Sequence, residues 1–263
     1  MNRHVVWLFR RIYRSYKNNG LGHVLRMLVA YPAREASRRL SRRRMHKAAS
    51  APQLPDFDRQ HGVDTGSGWG GALALADISS PNWIHGYHYQ SLGEELMRVM
   101  MDHLPIRHED FVFVDLGSGK GKILLMAAEY PFRRITGVEY SLSLHEAARR
   151  NIETYRNPQQ KCMDVESVCL DATQFVIPPR PCVFFLYNPF DQTILAPVVQ
   201  RMVESLQRVP RPMYVVYCNA VHADVFLSHG FREDFTFDSL GESNILFAAP
   251  EFPGRHTIGP TSP

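Results

Sequence analysis

A run of alternating glycines stands in residues 111–125, FVFVDLGSGKGKILL. The three glycines occupy alternate positions, at Gly117, Gly119 and Gly121. Because glycine has no Cβ, a ligand can approach this backbone closely. A nucleotide triphosphate, a dinucleotide and a sulfonium nucleoside all use glycines in this way. Lys120 and Lys122 stand beside the glycines and suggest a phosphate, so the flanking residues must decide among the three ligands.

Both phosphate-binding loops fit this stretch poorly. A Walker-type loop needs Ser or Thr directly after Gly-Lys, because that hydroxyl binds magnesium, and Gly121 and Ile123 stand there instead. A dinucleotide loop, G-x-G-x-x-G, matches at its first two glycines. Its third position is Lys122, where a glycine would let the helix pack closely on the strand. The triphosphate is excluded, and the dinucleotide is weakened.

The loop of an adenosyl sulfonium donor, hydrophobic-D/E-x-G-x-G-x-G, matches residues 114–121 throughout, with Ser118 between the first two glycines. Asp115 is the discriminating residue. A carboxylate at this strand end can pair with the ammonium group of the methionine moiety, whereas it would repel a pyrophosphate. The sequence therefore favours S-adenosylmethionine as the cofactor.

Two further acids follow the next two predicted strands. Glu139 suits the two ribose hydroxyls, and Asp171, in LDAT, suits the adenine amino group, with the Ala172 amide donating to the ring. Acids at three successive strand ends are typical of a ligand crevice at the carboxyl edge of an open sheet. Asp171 by itself is equally typical of a turn or helix cap.

Strand and helix patterns alternate from residue 80 onward. The predicted strands span 111–116, 134–140, 166–170, 182–187, 213–218, 234–238 and 244–249. The predicted helices span 91–104, 121–130, 143–156, 194–208 and 222–229. This alternation predicts an α/β fold with a Rossmann-like, doubly wound, mostly parallel seven-stranded sheet. The last two strands have no helix between them, which predicts an antiparallel hairpin at one edge.

Composition divides the chain into four predicted parts: a basic helical arm at 1–49, a Pro/Gly-rich linker or lid loop at 50–79, the α/β domain at 80–251 and a flexible tail at 252–263. Residues 1–47 contain 13 Lys or Arg and one acid, whereas the rest of the chain contains 17 basic and 25 acidic residues. The arm either docks on its own domain or contacts an anionic membrane or nucleic acid.

Cysteine usage and hydropathy bear on location. The four cysteines form no C-x-x-C pair, so we expect reduced, mostly buried thiols and no zinc site. The sequence contains no apolar run of about 18 residues, so we expect no transmembrane helix. The expected location is the cytoplasm, with peripheral contact to a membrane surface through the arm as an alternative. Residues 1–34 also have the Arg-rich, acid-poor composition of a mitochondrial transit peptide.

The stretch FVDLGSGKGKILLMAAEYPFRRITGVEYS, residues 113–141, resembles the core of class I S-adenosylmethionine-dependent methyltransferases. It is most similar to a bacterial-type group with undefined substrates. FDRQHGVDTGSG at 57–68, YQS at 89–91 and YNPF at 187–190 extend the resemblance over roughly residues 55–250. The loop is also similar to that of the non-SET histone lysine methyltransferases, which share DLGSG. The resemblance implies methyl transfer, an activity of the EC 2.1.1 class.

The resemblance also implies an acceptor site at YNPF. In amine-methylating relatives a (N/D)-P-P-(Y/F) segment accepts hydrogen bonds from the target amine, and here one proline is missing. Tyr187, Asn188 and Phe190 are therefore candidate catalytic residues, and Asn188 also lies beside the cofactor. The expected acceptor is an amine nitrogen of a protein lysine or a small molecule. Alternatively, Asn188 only holds the loop after the strand.

The resemblance implies that the segment HGYHYQS folds over the methionine end of the cofactor. Tyr89 and Ser91 are expected cofactor contacts, while His88 and His85 are candidate bases. Tyr140 is expected to pack against adenine, and the two lysines of the loop to face solvent or the acceptor.

Two other functions stay open: a non-catalytic cofactor-binding module that docks on membrane or RNA through its basic arm, and a NAD-type oxidoreductase.

Overall fold

The computed structural model describes residues 57–66, 94–239 and 242–251. The strands are β1 Val112–Leu116, β2 Ile135–Glu139, β3 Val165–Cys169, β4 Cys182–Tyr187, β5 Met213–Cys218, β6 Arg232–Ser239 and β7 Glu242–Ala248. The helices are α1 Phe57–His61, α2 Glu94–Asp102, α3 Lys122–Ala127, α4 Leu142–Thr154, α5 Gln192–Arg208 and α6 Ala223–Ser228. The predicted arm, the predicted tail and the rest of the predicted linker lie outside the described residues.

The strands form one seven-stranded sheet in the order β3-β2-β1-β4-β5-β7-β6. Strands β3, β2, β1, β4 and β5 pair in parallel, and β7 pairs antiparallel with both β5 and β6. This confirms the predicted mostly parallel sheet with an antiparallel edge hairpin. Because β7 runs against β5, the end of β6 and the start of β7 lie at the carboxyl edge of the parallel strands.

The central strands are buried on both faces, as expected for a parallel sheet covered by helices. Successive residues of β4 alternate between two cores: Phe185 packs with Phe113 and Leu124 on one face, while Phe184 packs with Met202 on the other. The first core includes α2 and α3, and the second includes α5 and α6. Because both faces of the central strands are covered, their polar side chains can reach a ligand only at the carboxyl edge of the sheet.

Helix α5 begins two residues before its predicted start at 194. The Asp191 carboxylate accepts a hydrogen bond from the Thr193 N–H at 2.9 Å and so caps the helix. A capping carboxylate satisfies an N–H that has no partner within the helix, which lets the helix begin earlier than its apolar periodicity suggests.

Residues 57–66 form an ordered part of the domain core. Phe57 in α1 is buried in the same core as Phe113 and stacks on Tyr155 with ring centroids 6.1 Å apart. Val63 is also buried there. This segment falls inside the predicted linker or lid loop, and its burial shows that part of that stretch packs onto the sheet through α1.

All four cysteines are free thiols, and Cys169 alone among them is exposed. Burial raises the pKa of the Cys182 thiol to about 12. Within the described ranges, no helix combines the length and apolar character that a membrane span requires.

Candidate functional site

The glycine loop lies between β1 and α3 at the carboxyl edge of the sheet. The N–H groups of Gly117 and Ser118 donate to the Val138 carbonyl of β2, at 2.8 and 3.2 Å. The loop glycines Gly117, Gly119 and Gly121 have positive φ values of 83°, 54° and 83°. Left-handed backbone of this kind disfavours any side chain. The loop therefore requires its glycines for its own conformation, besides any ligand.

A side chain at Gly117 would also overlap Pro189, which follows β4. The first glycine thus allows two loops to touch, the one after β1 and the one after β4. Gly137, inside β2, has a similar role, because a Cβ there would lie 2.6 Å from the Ser118 hydroxyl and from Leu124. Sequence reasoning did not single out Gly137, although a glycine inside a buried strand indicates such close packing.

Ser118 is buried beneath the loop. Its hydroxyl has no hydrogen-bond partner among the described residues and lies over Gly137. The Ser118 side chain therefore points into the sheet. Only the backbone of Ser118 is left to contact a ligand in the crevice.

Two buried carboxylates lie on neighbouring strands. Backbone donors fix Glu139, among them Gly119 N–H to Oε2 at 2.9 Å and Ser141 N–H to Oε1 at 2.8 Å. Burial raises the pKa of Glu139, and hydrogen bonds from the backbone counteract part of that effect. Asp115 is only 3% exposed, and burial, followed by the charge of Glu139, raises its pKa well above the ordinary range.

Asp171 caps the short 3₁₀ helix Ala172–Gln174. One of its oxygens accepts hydrogen bonds from the Thr173 N–H at 2.8 Å and the Thr173 hydroxyl at 2.6 Å. Leu170 N–H donates to the Glu139 carbonyl at 3.0 Å, which places this helix beside the end of β2. Asp171 therefore has the capping role typical of its turn, at the edge where the sequence predicted the adenine contact. Tyr140 lies partly exposed next to Glu139 at the same edge.

The end of β4 contains the candidate acceptor residues. Asn188 has a positive φ of 40° and is buried, and its Oδ1 accepts a hydrogen bond from the Tyr217 hydroxyl at 3.2 Å. The Tyr187 hydroxyl donates to Glu242 at 3.1 Å, and burial, with the nearby charge of Glu242, raises the pKa of Tyr187 to about 12. Phe190 is 7% exposed and packs in the core on the α5 side.

Sequence reasoning missed three residues of this edge that hold the candidate acceptor loop and the hairpin together. They are Tyr217, Glu242 and Asn244. Asn244 is completely buried and accepts the N–H of Asn219 at the end of β5, at 3.1 Å. A buried Asn in a hydrophobic strand was the one available signal, since such a group must find hydrogen-bond partners.

The two loop lysines contact residues 57–66. Lys120 Nζ lies 2.8 Å from Asp64 Oδ1, and Lys122 Nζ lies 5.1 Å from the centroid of the Phe57 ring. Asn151 of α4, also missed from the sequence, hydrogen-bonds both the Asp64 backbone and the Lys120 carbonyl. The predicted residues His85, His88, Tyr89 and Ser91 lie outside the described residues.

Parts of the chain are similar to known proteins. Residues 85–176 match the family model described as histone methylation protein DOT1. A stretch of 96 residues is 32% identical to ribosomal RNA large subunit methyltransferase G of Aliivibrio salmonicida (strain LFI1238), covering 36% of this chain and 25% of that protein. The same protein of Aliivibrio fischeri (strain MJ11) matches equally. The chain spans a quarter of the length of the curated relatives it matches.

Two solved structures match part of the chain. An RNA methyltransferase from Salinibacter ruber in complex with S-adenosyl-L-homocysteine gives a TM-score of 0.46 at 23% identity, over 64% of this chain and 98% of that one. A precorrin-6y C5,15-methyltransferase from Geobacter metallireducens GS-15 gives 0.47 at 15% identity, over 63% and 93%. With its β3-β2-β1-β4-β5-β7-β6 sheet and the family match that spans the glycine loop, the chain has the class I S-adenosylmethionine-dependent methyltransferase fold.

Proposed function

We propose that this protein is an S-adenosylmethionine-dependent methyltransferase whose acceptor is an amine nitrogen. The buried Asp115 carboxylate at the end of β1 is the observation that supports this most. No described residue donates a hydrogen bond to it, and burial raises its pKa. A buried carboxylate is costly unless it is paired, so this position favours a ligand with a positive charge.

The cofactor fits the charge of this pair of carboxylates. The ammonium group of its methionine moiety would offset the charge of Asp115, whereas a pyrophosphate would add to it. Backbone N–H groups of Ser141, Gly119 and Tyr140 donate to the Glu139 carboxylate. Its two oxygens offer about four lone-pair sites, so the carboxylate can still accept a ribose hydroxyl. These contacts hold the Glu139 carboxylate in one position before any ligand binds, which lowers the cost of ordering it.

At the acceptor side the chain's own residues position the nucleophile. When bound, the cofactor supplies a methyl group that its sulfonium already activates. Asn188 Oδ1 is held by Tyr217 and has a second lone pair for an N–H of the acceptor. A fixed acceptor oriented in line with the methyl group is the main contribution that a site of this kind makes. The high pKa of Tyr187 keeps its hydroxyl protonated near neutral pH, so it acts as a donor to Glu242 and not as a base.

Protein lysine or a small amine is the proposed acceptor, and RNA is the second candidate. The name of the curated relatives supports RNA. The charge of residues 48–263, with 25 acids against 17 bases, opposes it unless the basic residues 1–47 supply the affinity for phosphate. A cytoplasmic location is part of the proposal, because the free thiols suit a reducing compartment.

Two measurements test the proposal. In titration calorimetry we expect S-adenosylhomocysteine to bind and NAD not to bind; NAD binding without S-adenosylhomocysteine binding would overturn the cofactor. The purified protein is then incubated with tritiated-methyl donor and whole-cell extract, which is separated into protein, RNA, lipid and small molecules. We expect label in protein or small amines. Label confined to RNA would replace the proposed acceptor with the second candidate.

A further inference from the structure

We propose that residues 57–66, called here the docked segment, hold the glycine loop in its cofactor-binding conformation, with Asn151 as the positioning residue that joins the two. Docking of this segment and binding of the cofactor then favour each other. The inference rests on the cofactor site proposed above and adds to it a part of the chain that precedes the sheet.

The docked segment is a closed unit. The Asp58 carboxylate of α1 accepts hydrogen bonds from the N–H groups of Thr65 and Gly66, each at 2.9 Å, and from the Thr65 hydroxyl. Val63 N–H donates to the Asp58 carbonyl at 3.1 Å. The chain therefore turns back on its own helix and presents Asp64 outward in a fixed position.

Asn151 connects that position to the glycine loop. Its Nδ2 donates to the Asp64 carbonyl at 2.8 Å and to the Lys120 carbonyl at 2.9 Å, and its Oδ1 accepts the Asp64 N–H at 2.9 Å. The side chain is only 5% exposed, so both amide donors and the acceptor are used inside the protein. Loss of this amide would leave backbone groups of both segments without partners.

Both lysines of the loop strengthen the same connection. They flank Gly121: Lys120 pairs with Asp64 at 2.8 Å, and Lys122 lies over the Phe57 ring. The Lys120 side chain is 18% exposed and that of Asp64 is 76% exposed, so the pair lies at the surface and is partly screened by solvent. The loop is thus held from the α4 side by Asn151 and from the β2 side by Glu139.

This arrangement bears on cofactor affinity because the loop is rich in glycine. A glycine-rich turn loses much conformational freedom when it orders, and a ligand that must order it binds less tightly. Contacts that order the loop beforehand remove that loss. By linkage, a cofactor that binds the ordered loop also stabilises the docked segment by the same factor.

The test compares Asn151→Ala with Arg211→Ala in the full chain. Arg211 makes four hydrogen bonds before β5, at the opposite edge of the sheet, so its loss lowers stability without touching the loop. Dissociation constants for S-adenosylhomocysteine are measured by calorimetry, and hydrogen exchange is measured in residues 57–66 and 117–122 with and without it. Melting temperatures separate a general loss of stability from a loss of coupling.

We expect the ligand to slow exchange in residues 57–66 of the unmodified protein. Asn151→Ala should weaken binding about tenfold, within the usual range of coupling between sites, and abolish that protection. It should also speed exchange in residues 117–122 without ligand, whereas Arg211→Ala should change neither. Equal affinity and unchanged protection in Asn151→Ala would overturn the inference while leaving the cofactor proposal intact.

Asp64→Asn provides a second variant that keeps the fold, because the Asp64 side chain is 76% exposed and its backbone contacts remain. Loss of its ion pair with Lys120 should weaken binding of S-adenosylhomocysteine by about two- to fivefold, the range for a pair near the surface. The effect should vanish when Lys120→Met is already present. An undiminished effect there would show that Asp64 acts without Lys120. No binding to the unmodified protein would instead overturn the cofactor proposal, and with it the coupling.

Discussion

The two halves of the carboxyl edge are built in different ways. On the β1–β2 side, the two carboxylates proposed to hold the cofactor, Asp115 and Glu139, belong to one stretch of chain, and Glu139 is fixed by backbone N–H groups from that stretch. On the β4–β5–β7 side, side chains hydrogen-bond over 29 and 55 residues of sequence, Tyr217 to Asn188 and Tyr187 to Glu242. A local, backbone-built site suits an invariant cofactor, whereas a side-chain site can vary with its acceptor.

Gly117 joins the two halves, so its substitution should have the largest effect. Gly117→Ala places a Cβ at a φ of 83° and against Pro189, and we expect a loss of stability of about 2–5 kcal/mol from strain and overlap together. Gly62→Ala is the matched control, since Gly62 has a φ of 67° and no atom of the described residues lies within 4 Å of a Cβ there. Urea unfolding of both variants measures the difference. Equal losses would show that the two loops do not depend on their contact.

Asp115→Asn separates charge from shape on the cofactor side. The amide keeps the volume but cannot offset an ammonium group, so we expect S-adenosylmethionine to bind about 10- to 100-fold more weakly, in line with hydrogen bonds to charged groups. The variant without ligand should be more stable than the parent, because it removes a buried carboxylate to which no described residue donates a hydrogen bond. Calorimetry and thermal unfolding check the two signs. Unchanged affinity would remove Asp115 from the site.

The pH dependence of stability follows from the same carboxyl group. Its pKa is raised in the folded protein, so the folded state binds the proton more tightly than the unfolded chain. The resulting stability is present below about pH 4, the ordinary pKa of aspartate, and is lost as the pH rises through the raised folded value. Melting temperatures measured across this range should decline less in Asp115→Asn. S-adenosylmethionine should also reduce the decline, since it favours the ionised carboxylate.

The acceptor side should respond least. Tyr187→Phe removes one hydrogen bond to Glu242, and we expect a loss of stability of about 0.5–1.5 kcal/mol, with unchanged affinity for S-adenosylhomocysteine. Methyl transfer into extract should fall if this pair shapes the acceptor site. A change in cofactor affinity as large as that of Asp115→Asn would contradict the separation of the two halves.

Much of the fold followed from periodicity. The strands at 182–187 and 213–218 have the predicted bounds, because continuous apolar runs bounded by Pro and polar residues mark buried parallel strands. Helix boundaries were predicted less well, since α5 begins at a cap formed by Asp191 and not where its apolar pattern starts. Asp171 caps the 3₁₀ helix, as its residue type allows, and its contact with adenine stays a prediction.

The sequence by itself determined the fold class and the identity of the cofactor loop, because both depend on residues close together in the chain. Periodicity sets the strands and helices, and Asp115 with its glycines forms one contiguous motif. Only the tertiary structure decided the partners of Asn151, Asn188 and the loop lysines. The Asp64–Asn151 contact spans 87 residues and depends on how α1 and α4 pack beside the sheet, which no local pattern specifies.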